Sequence, residues 1–290
     1  MFFANFTNKK GGKIMCGIYG YIGTPKRPEE AYRMMKSMAI ATEVRGIHSS
    51  GFAAINDENF FSKKLVVRAT EFYKQIDVKH VIDNKTYLFV GHNRWASIGK
   101  ISEENAHPFV GEKYLFVHNG TCPFAKVLAN KLGLVSKGDT DSECLMNISE
   151  KYGLGSLRRF HDLSIVAIDY KNSSGHLYFY RDYLEPMVIC DIRKWAGIIL
   201  FASTKEIIKK GIEEMTVWNV KYFLDKSAPT IPGIIYRYNK FGNGKVVQEK
   251  KKLPTDIKEA MEQIKKEKEI TERKEIYHEN YHEWEQSYDI

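Results

Sequence analysis

MCGIYGYIG, Met15 to Gly23, is a short apolar run that opens on a cysteine and is punctuated by glycines. β-Branched and aromatic residues fill nearly every other position, which reads as a strand covered on both faces with Cys16 at its head. Alone, such a cysteine is a small core residue, since free cysteine is among the most buried residue types. Runs of the same kind recur at GFAAIN (51–56), TYLFVGHN (86–93), KYLFVHN (113–119), LSIVAIDY (163–170), HLYFYR (176–181), PMVICDI (186–192), IILFAS (198–203) and GIIYRYN (233–239). Helical patterns lie between them at 29–43, at 142–152 with Gly153 as the stop, and at 204–215. Strands come in groups and do not alternate one for one with helices. That predicts an α+β layered fold rather than a doubly wound parallel sheet.

The 290 residues are 43% hydrophobic and 28% charged, an ordinary soluble composition with length enough for a sizeable core. No apolar run reaches membrane-spanning length, and MFFANFTNKKGGKIM has its basic residues after its apolar ones, unlike a signal peptide. The cysteines Cys16, Cys122, Cys144 and Cys190 are scattered without CxxC spacing, which argues against a disulfide framework or a zinc site and for a cytoplasmic setting. The net charge of +8 is spread out, with no basic stripe interleaved with aromatics, so direct nucleic-acid binding is not expected. From Lys250 the chain becomes charged and helix-favouring. We read 251–290 as a charged helical or flexible tail that contributes to partner docking. His278 and His282 have the i,i+4 spacing of two metal ligands, but no third ligand lies nearby and no metal is expected.

The polar residues gather in short motifs: CGIYGYIG (16–23), EVRGIHSSG (43–51), GHNRWASIG (91–99), NAHPF (105–109), FVHNGT (116–121) and GDTDSE (138–143). Each has an ordinary structural explanation. Asn-Gly ends a strand in a turn, Thr140 with Glu143 makes a capping box, and Arg94 suits a salt bridge.

Taken in order, these motifs resemble the glutaminase domain of class II glutamine amidotransferases, which are N-terminal nucleophile hydrolases. The nearest likeness is the glutaminase of glucosamine-6-phosphate synthases. The likeness is strongest over 16–150 and weaker in LYFYRDYLEPMVI and IILFAST. It implies a four-layer αββα sandwich of two antiparallel sheets, with residues 16–250 as the amidotransferase domain. It also implies hydrolysis of L-glutamine to glutamate and ammonia without a cofactor. Carried over by position, Cys16 is the nucleophile that forms a γ-glutamyl thioester. The Asn119 side-chain amide and the Gly120 N–H form the oxyanion hole. Arg94 holds the α-carboxylate of glutamine and Asp141 its α-ammonium, while Trp95 and Ser97 belong to the wall and lid. Arg45 and His107 are implied as a structural pair supporting the Cys16 strand.

The sequence departs from that pattern at His48, Asn93, Ser97 and Ile98. The sugar-phosphate isomerase half of the synthases, a P-loop and a pyrophosphatase loop are not found, so ammonia is expected to pass to a separate synthetase partner. Homo-oligomerisation is left open. So are two other readings: an amidase of the same superfamily acting on another amide, and a catalytically silent regulatory or binding module. The family's nucleophile is the first residue of its mature chain, whose free α-amine serves as base. Residues 1–15 are therefore expected to be a leader or propeptide absent from the mature enzyme. KKGG before Met15 is also what a ribosome-binding sequence would encode.

Overall fold

The structure, a computed structural model, describes residues 15–171, 175–215, 219–247 and 254–267. In strand β1 (Gly17–Ile22) every residue is buried. The side chains divide by parity: Tyr19 and Tyr21 join one apolar cluster, Ile18 and Ile22 another. Successive residues of a strand face opposite ways, so both faces of β1 are covered.

The chain continues through α1 (Pro28–Thr42), β2 (Ser49–Ile55), β3 (Phe60–Leu65), α2 (Ala69–Gln75), β4 (Leu88–Arg94), β5 (Phe109–Val110), β6 (Tyr114–Gly120), α3 (Pro123–Lys131) and α4 (Asp141–Tyr152). It then forms β7 (Leu163–Asp169), β8 (His176–Arg181), β9 (Val188–Asp191), α5 (Arg193–Ala196), β10 (Ile199–Ala202), α6 (Lys205–Glu213), α7 (Val220–Asp225), β11 (Ala228–Pro229), β12 (Tyr236–Tyr238) and β13 (Gly244–Val246). One sheet runs β11-β9-β10-β1-β4-β2-β3 and the other β13-β12-β8-β7-β6-β5. Every pairing is antiparallel.

Ile18, Ile22, Leu88 and Val90 of the first sheet meet Leu115, Val117, Val166 and Phe179 of the second in one cluster between the sheets. Tyr19, Phe52 and Phe89 face outward under Met34 and Met38 of α1, Phe72 of α2 and Ile208 of α6. Phe116 and Ile165 face outward under Leu128 of α3 and Leu145 of α4. The order helix, sheet, sheet, helix is the α+β four-layer αββα sandwich expected. β1 sits fourth of seven strands in its sheet, beside β4, with α1 above it. Gly91 of β4 lets the two strands close up, since a Cβ there would lie 2.1 Å from the Tyr19 ring.

The structure adds to and corrects the sequence reading in several places. Strand β3 has no fully buried residue and carries Lys63 and Lys64, so it lacks the apolar signal of the buried strands. Lysines on an edge strand also discourage pairing with another chain. The Thr140 cap forms, its Oγ accepting from the Glu143 N–H at 3.2 Å. The Glu143 carboxylate, however, bonds the Lys137 and Gly138 N–H groups at 2.9 and 2.7 Å, so the reciprocal half of the box serves the preceding turn. Within the expected charged tail, 251–290, the described residues 254–267 pack on the fold. Residues 255–267 form a helix whose Ile257 and Ala260 are buried, with Met261 and Ile264 packed on the α3–α4 side. Asp256 accepts from the Tyr152 hydroxyl at 2.6 Å, and Glu267 pairs with Lys131 at 2.6 Å. Residues 1–14 of the expected leader, and His278 and His282, lie outside the described residues. No helix among the described residues is long and apolar enough to cross a membrane, and none of their His, Cys, Asp and Glu side chains form a metal-binding group.

Candidate active site

Cys16 is buried immediately before β1, where the strand meets the end of α1. A Cβ at Gly17 would lie 2.0 Å from Thr42 Cγ2, so only glycine lets the strand head tuck under the helix end. The turn after α1 then supplies Arg45, whose Nε donates to the Cys16 carbonyl at 2.7 Å. The Cys16 Sγ is clasped by one residue of the facing strand end. It accepts from the Trp95 N–H at 3.2 Å and donates to the Trp95 carbonyl at 3.3 Å. Burial pushes the thiol up to about 11, against the Trp95 N–H and the Arg94 and Arg45 charges, which pull it down. The thiol is therefore protonated at neutral pH and needs a base before it can attack.

Arg94 ends β4 and is buried. Its guanidinium donates to the Ile98 and Lys100 carbonyls at 2.6 and 2.9 Å, which folds residues 95–100 back over it. The same loop is tied to the turn before α4. Asp139 accepts from the Asn105 amide at 2.5 Å and the Lys100 N–H at 3.2 Å, and Asn105 accepts from the Asp139 N–H at 3.0 Å. Asp141 is buried at the start of α4, where its carboxylate accepts from the Cys122 N–H at 2.5 Å and the Ser142 N–H at 3.0 Å. Its charge reaches Arg94. Ser97 accepts from the Thr121 hydroxyl at 3.0 Å, joining this loop to the end of β6. Trp95 stacks on His48 with ring centroids 4.2 Å apart, and His48 Nδ1 accepts from the Ala96 N–H at 2.9 Å. The histidine departure at position 48 thus braces the turn that clasps the thiol.

Asn119 and Gly120 end β6 on the opposite sheet. Ser203, just after β10, connects them to the nucleophile strand. Its hydroxyl accepts from the Ile18 N–H at 2.9 Å and the Asn119 amide at 2.8 Å. One of the two Asn119 amide protons is used in this way. Gly120 has φ +122°, and a Cβ there would lie 1.8 Å from the Asp162 carbonyl, so the turn admits glycine alone.

Cys16, Arg94, Trp95, Ser97, Asn119, Gly120 and Asp141 thus converge at one end of the two sheets. The supporting pair does not. Arg45 reaches Cys16, but its charge partner is the fully buried Glu185 at 3.5 Å. His107 instead lies between His92, with ring centroids 3.9 Å apart, and Phe109 at 4.7 Å. Desolvation and the neighbouring histidines hold it neutral, so it offers Arg45 no charge. Ser203, Glu185, Asp139 and Asn105 were not read as site residues. Asn105 and Asp139 stand inside the NAHPF and GDTDSE motifs and Glu185 and Ser203 inside the two weaker stretches, but only tertiary pairing gives each a role. A cavity of about 1180 Å³ lies elsewhere, between the β3 and β5 edges, lined by Lys64, Phe109, Lys137 and Glu150 among others, and touches none of the site residues.

Residues 67–157 match the family model of class-II glutamine amidotransferases. That stretch carries the sequence pattern of class II glutamine amidotransferases. It is 33% identical over 143 residues to glutamine–fructose-6-phosphate aminotransferase (isomerizing) of Chlamydia pneumoniae, covering 48% of this chain and 22% of that protein. The protein of the same name from Encephalitozoon cuniculi is 28% identical over 207 residues, covering 64% of this chain and 29% of its own length. The chain therefore spans less than a third of the length of these curated relatives. In fold it resembles the glutamine phosphoribosylpyrophosphate amidotransferase of B. subtilis, with a TM-score of 0.60 at 18% identity, covering 82% of this chain and 50% of that one.

Proposed function

We propose that this domain hydrolyses the side-chain amide of L-glutamine to glutamate and ammonia, with Cys16 as nucleophile. The observation that carries the reading is the clasp of the Cys16 thiol by Trp95, next to Arg94 and linked through Ser203 to Asn119. Once Cys16 is the first residue, its α-amine, with an ordinary pKa near 8, takes the thiol proton. The sulfur attacks the amide carbon, and the carbonyl π electrons move to oxygen. The Asn119 amide and the Gly120 N–H stabilise that oxyanion. Collapse breaks the C–N bond, the α-ammonium protonates the leaving nitrogen, and ammonia departs. Water then cleaves the γ-glutamyl thioester. Arg94 takes the α-carboxylate, for which its planar fork is suited, and Asp141 takes the α-ammonium. Trp95 and Ser97 shape the pocket over the bound amino acid.

We place the ammonia acceptor on a separate synthetase protein. That an acceptor exists is supported by the names of the matched relatives, which pair glutamine with fructose 6-phosphate. Glutamate release is to be measured for protein starting at Cys16, for the full chain and for Cys16→Ala. Turnover only in the Cys16-start protein supports the mechanism. Activity surviving in Cys16→Ala refutes it, and silence of the Cys16-start protein favours the binding module.

A further inference from the structure

Between β8 and β9 the chain turns through Asp182, Tyr183, Leu184 and Glu185. Tyr183 and Leu184 are 84% and 63% exposed, so apolar burial does not hold the tip of this turn. Its two carboxylates, by contrast, are buried and point to separate parts of the site. Asp182 closes the turn by accepting from the Leu184 and Glu185 N–H groups at 2.9 and 3.3 Å. Its other oxygen accepts from the Asp162 N–H. Asp162, held at φ 59°, accepts with its carbonyl from the Thr121 N–H at 3.1 Å and abuts Gly120. Three residues further along the chain from Asp182, Glu185 lies 3.5 Å from Arg45, whose Nε holds the Cys16 carbonyl.

We propose that the Asp182–Glu185 turn is a positioning element of the amidotransferase site: Glu185 fixes the nucleophile through Arg45, and Asp182 fixes the Gly120 N–H through Asp162. One short turn thereby sets the spacing between attacking sulfur and oxyanion donor, which lie on different sheets. The proposal rests on the glutaminase reading. A purely structural ion pair would change stability alone. A positioning pair also changes the thiol, because the Glu185 charge raises the Cys16 titration and the Arg45 charge lowers it.

The test uses Cys16-start protein and two readouts: glutamine turnover, and alkylation of Cys16 by iodoacetamide against pH, followed by peptide mass. Glu185→Gln leaves the Arg45 charge unbalanced. The alkylation midpoint should move to lower pH by about half a unit or more. Its kcat should fall roughly ten- to hundredfold from misplacement while KM stays within about threefold, since neither glutamine clamp is touched. Glu185→Asp keeps the charge and should keep the wild-type midpoint with a lowered kcat. It carries the test if the glutamine variant does not fold. Asp182→Asn should lower kcat without moving the midpoint, because it acts on the oxyanion side. Wild-type kcat and midpoint in a folded Glu185→Gln protein, or wild-type kcat in Glu185→Asp or Asp182→Asn, would overturn the proposal. If the wild-type protein releases no glutamate, the function reading fails, while the alkylation profiles still decide the Glu185 arm.

Discussion

With the Cys16 thiol pushed up to about 11, the proposed mechanism makes the protonation state of the base the quantity that sets activity. In Cys16-start protein, kcat/KM for glutamine should rise through the ordinary α-amine range near pH 8 and level off above it. Acetylating the N-terminus should abolish that limb. Asn119→Ala should lower kcat by about 10²–10³ with little change in KM, the pattern of a donor used only in the transition state. If KM rises instead and kcat is kept, Asn119 serves binding and the oxyanion role is wrong. At this scale the sequence was informative about residue types and much less so about partners. Cys16, Arg94, Asn119 and Asp141 stand in recognisable motifs. That Arg45 answers to Glu185 and not to His107 depends on two turns, at 45 and 185, that meet only in the fold.

Elements place these residues by their ends. Strand ends carry Cys16, Arg94, Asn119 and Gly120, and the N-terminus of α4 carries Asp141. Loss of the α4 cap in Thr140→Ala should cost about 1 kcal/mol, read as a lowered urea midpoint at unchanged m. Gly120→Ala should be far more damaging, because φ +122° and the Asp162 carbonyl both exclude a side chain. A folded, fully active Gly120→Ala protein would contradict the described turn. Buried strands such as β7 were legible because their residues are apolar on both faces. Strand β3 and helices α2 and α3 were not, since β3 is solvated and the two helices are short.

At the scale of the whole molecule, two sheets bury His92 and His107 beside the apolar core between them. Burial holds His92 down to about 3, and His107 also lies well below its ordinary value. Below pH 6.5 the unfolded chain takes up protons that the fold excludes. Stability should be full above that pH and fall as pH drops toward 3, by about 1.4 kcal/mol per pH unit for each histidine involved. Urea unfolding at pH 7 and pH 5 measures this, and equal midpoints would count against buried neutral imidazoles. Residues 255–267 add packing on the far helical layer, and Ile257→Ala there should cost about 2 kcal/mol or more. A sequence of alternating and doubly apolar strands, with polar motifs at their ends, determined by itself the layered fold and the chemical types in the site, because periodicity and residue chemistry are local. Only the tertiary structure decided which groups hold them: Ser203 on Asn119, Glu185 on Arg45, His48 under Trp95. Those pairings join residues far apart in the chain, and their energy comes from a shared burial that no local pattern encodes.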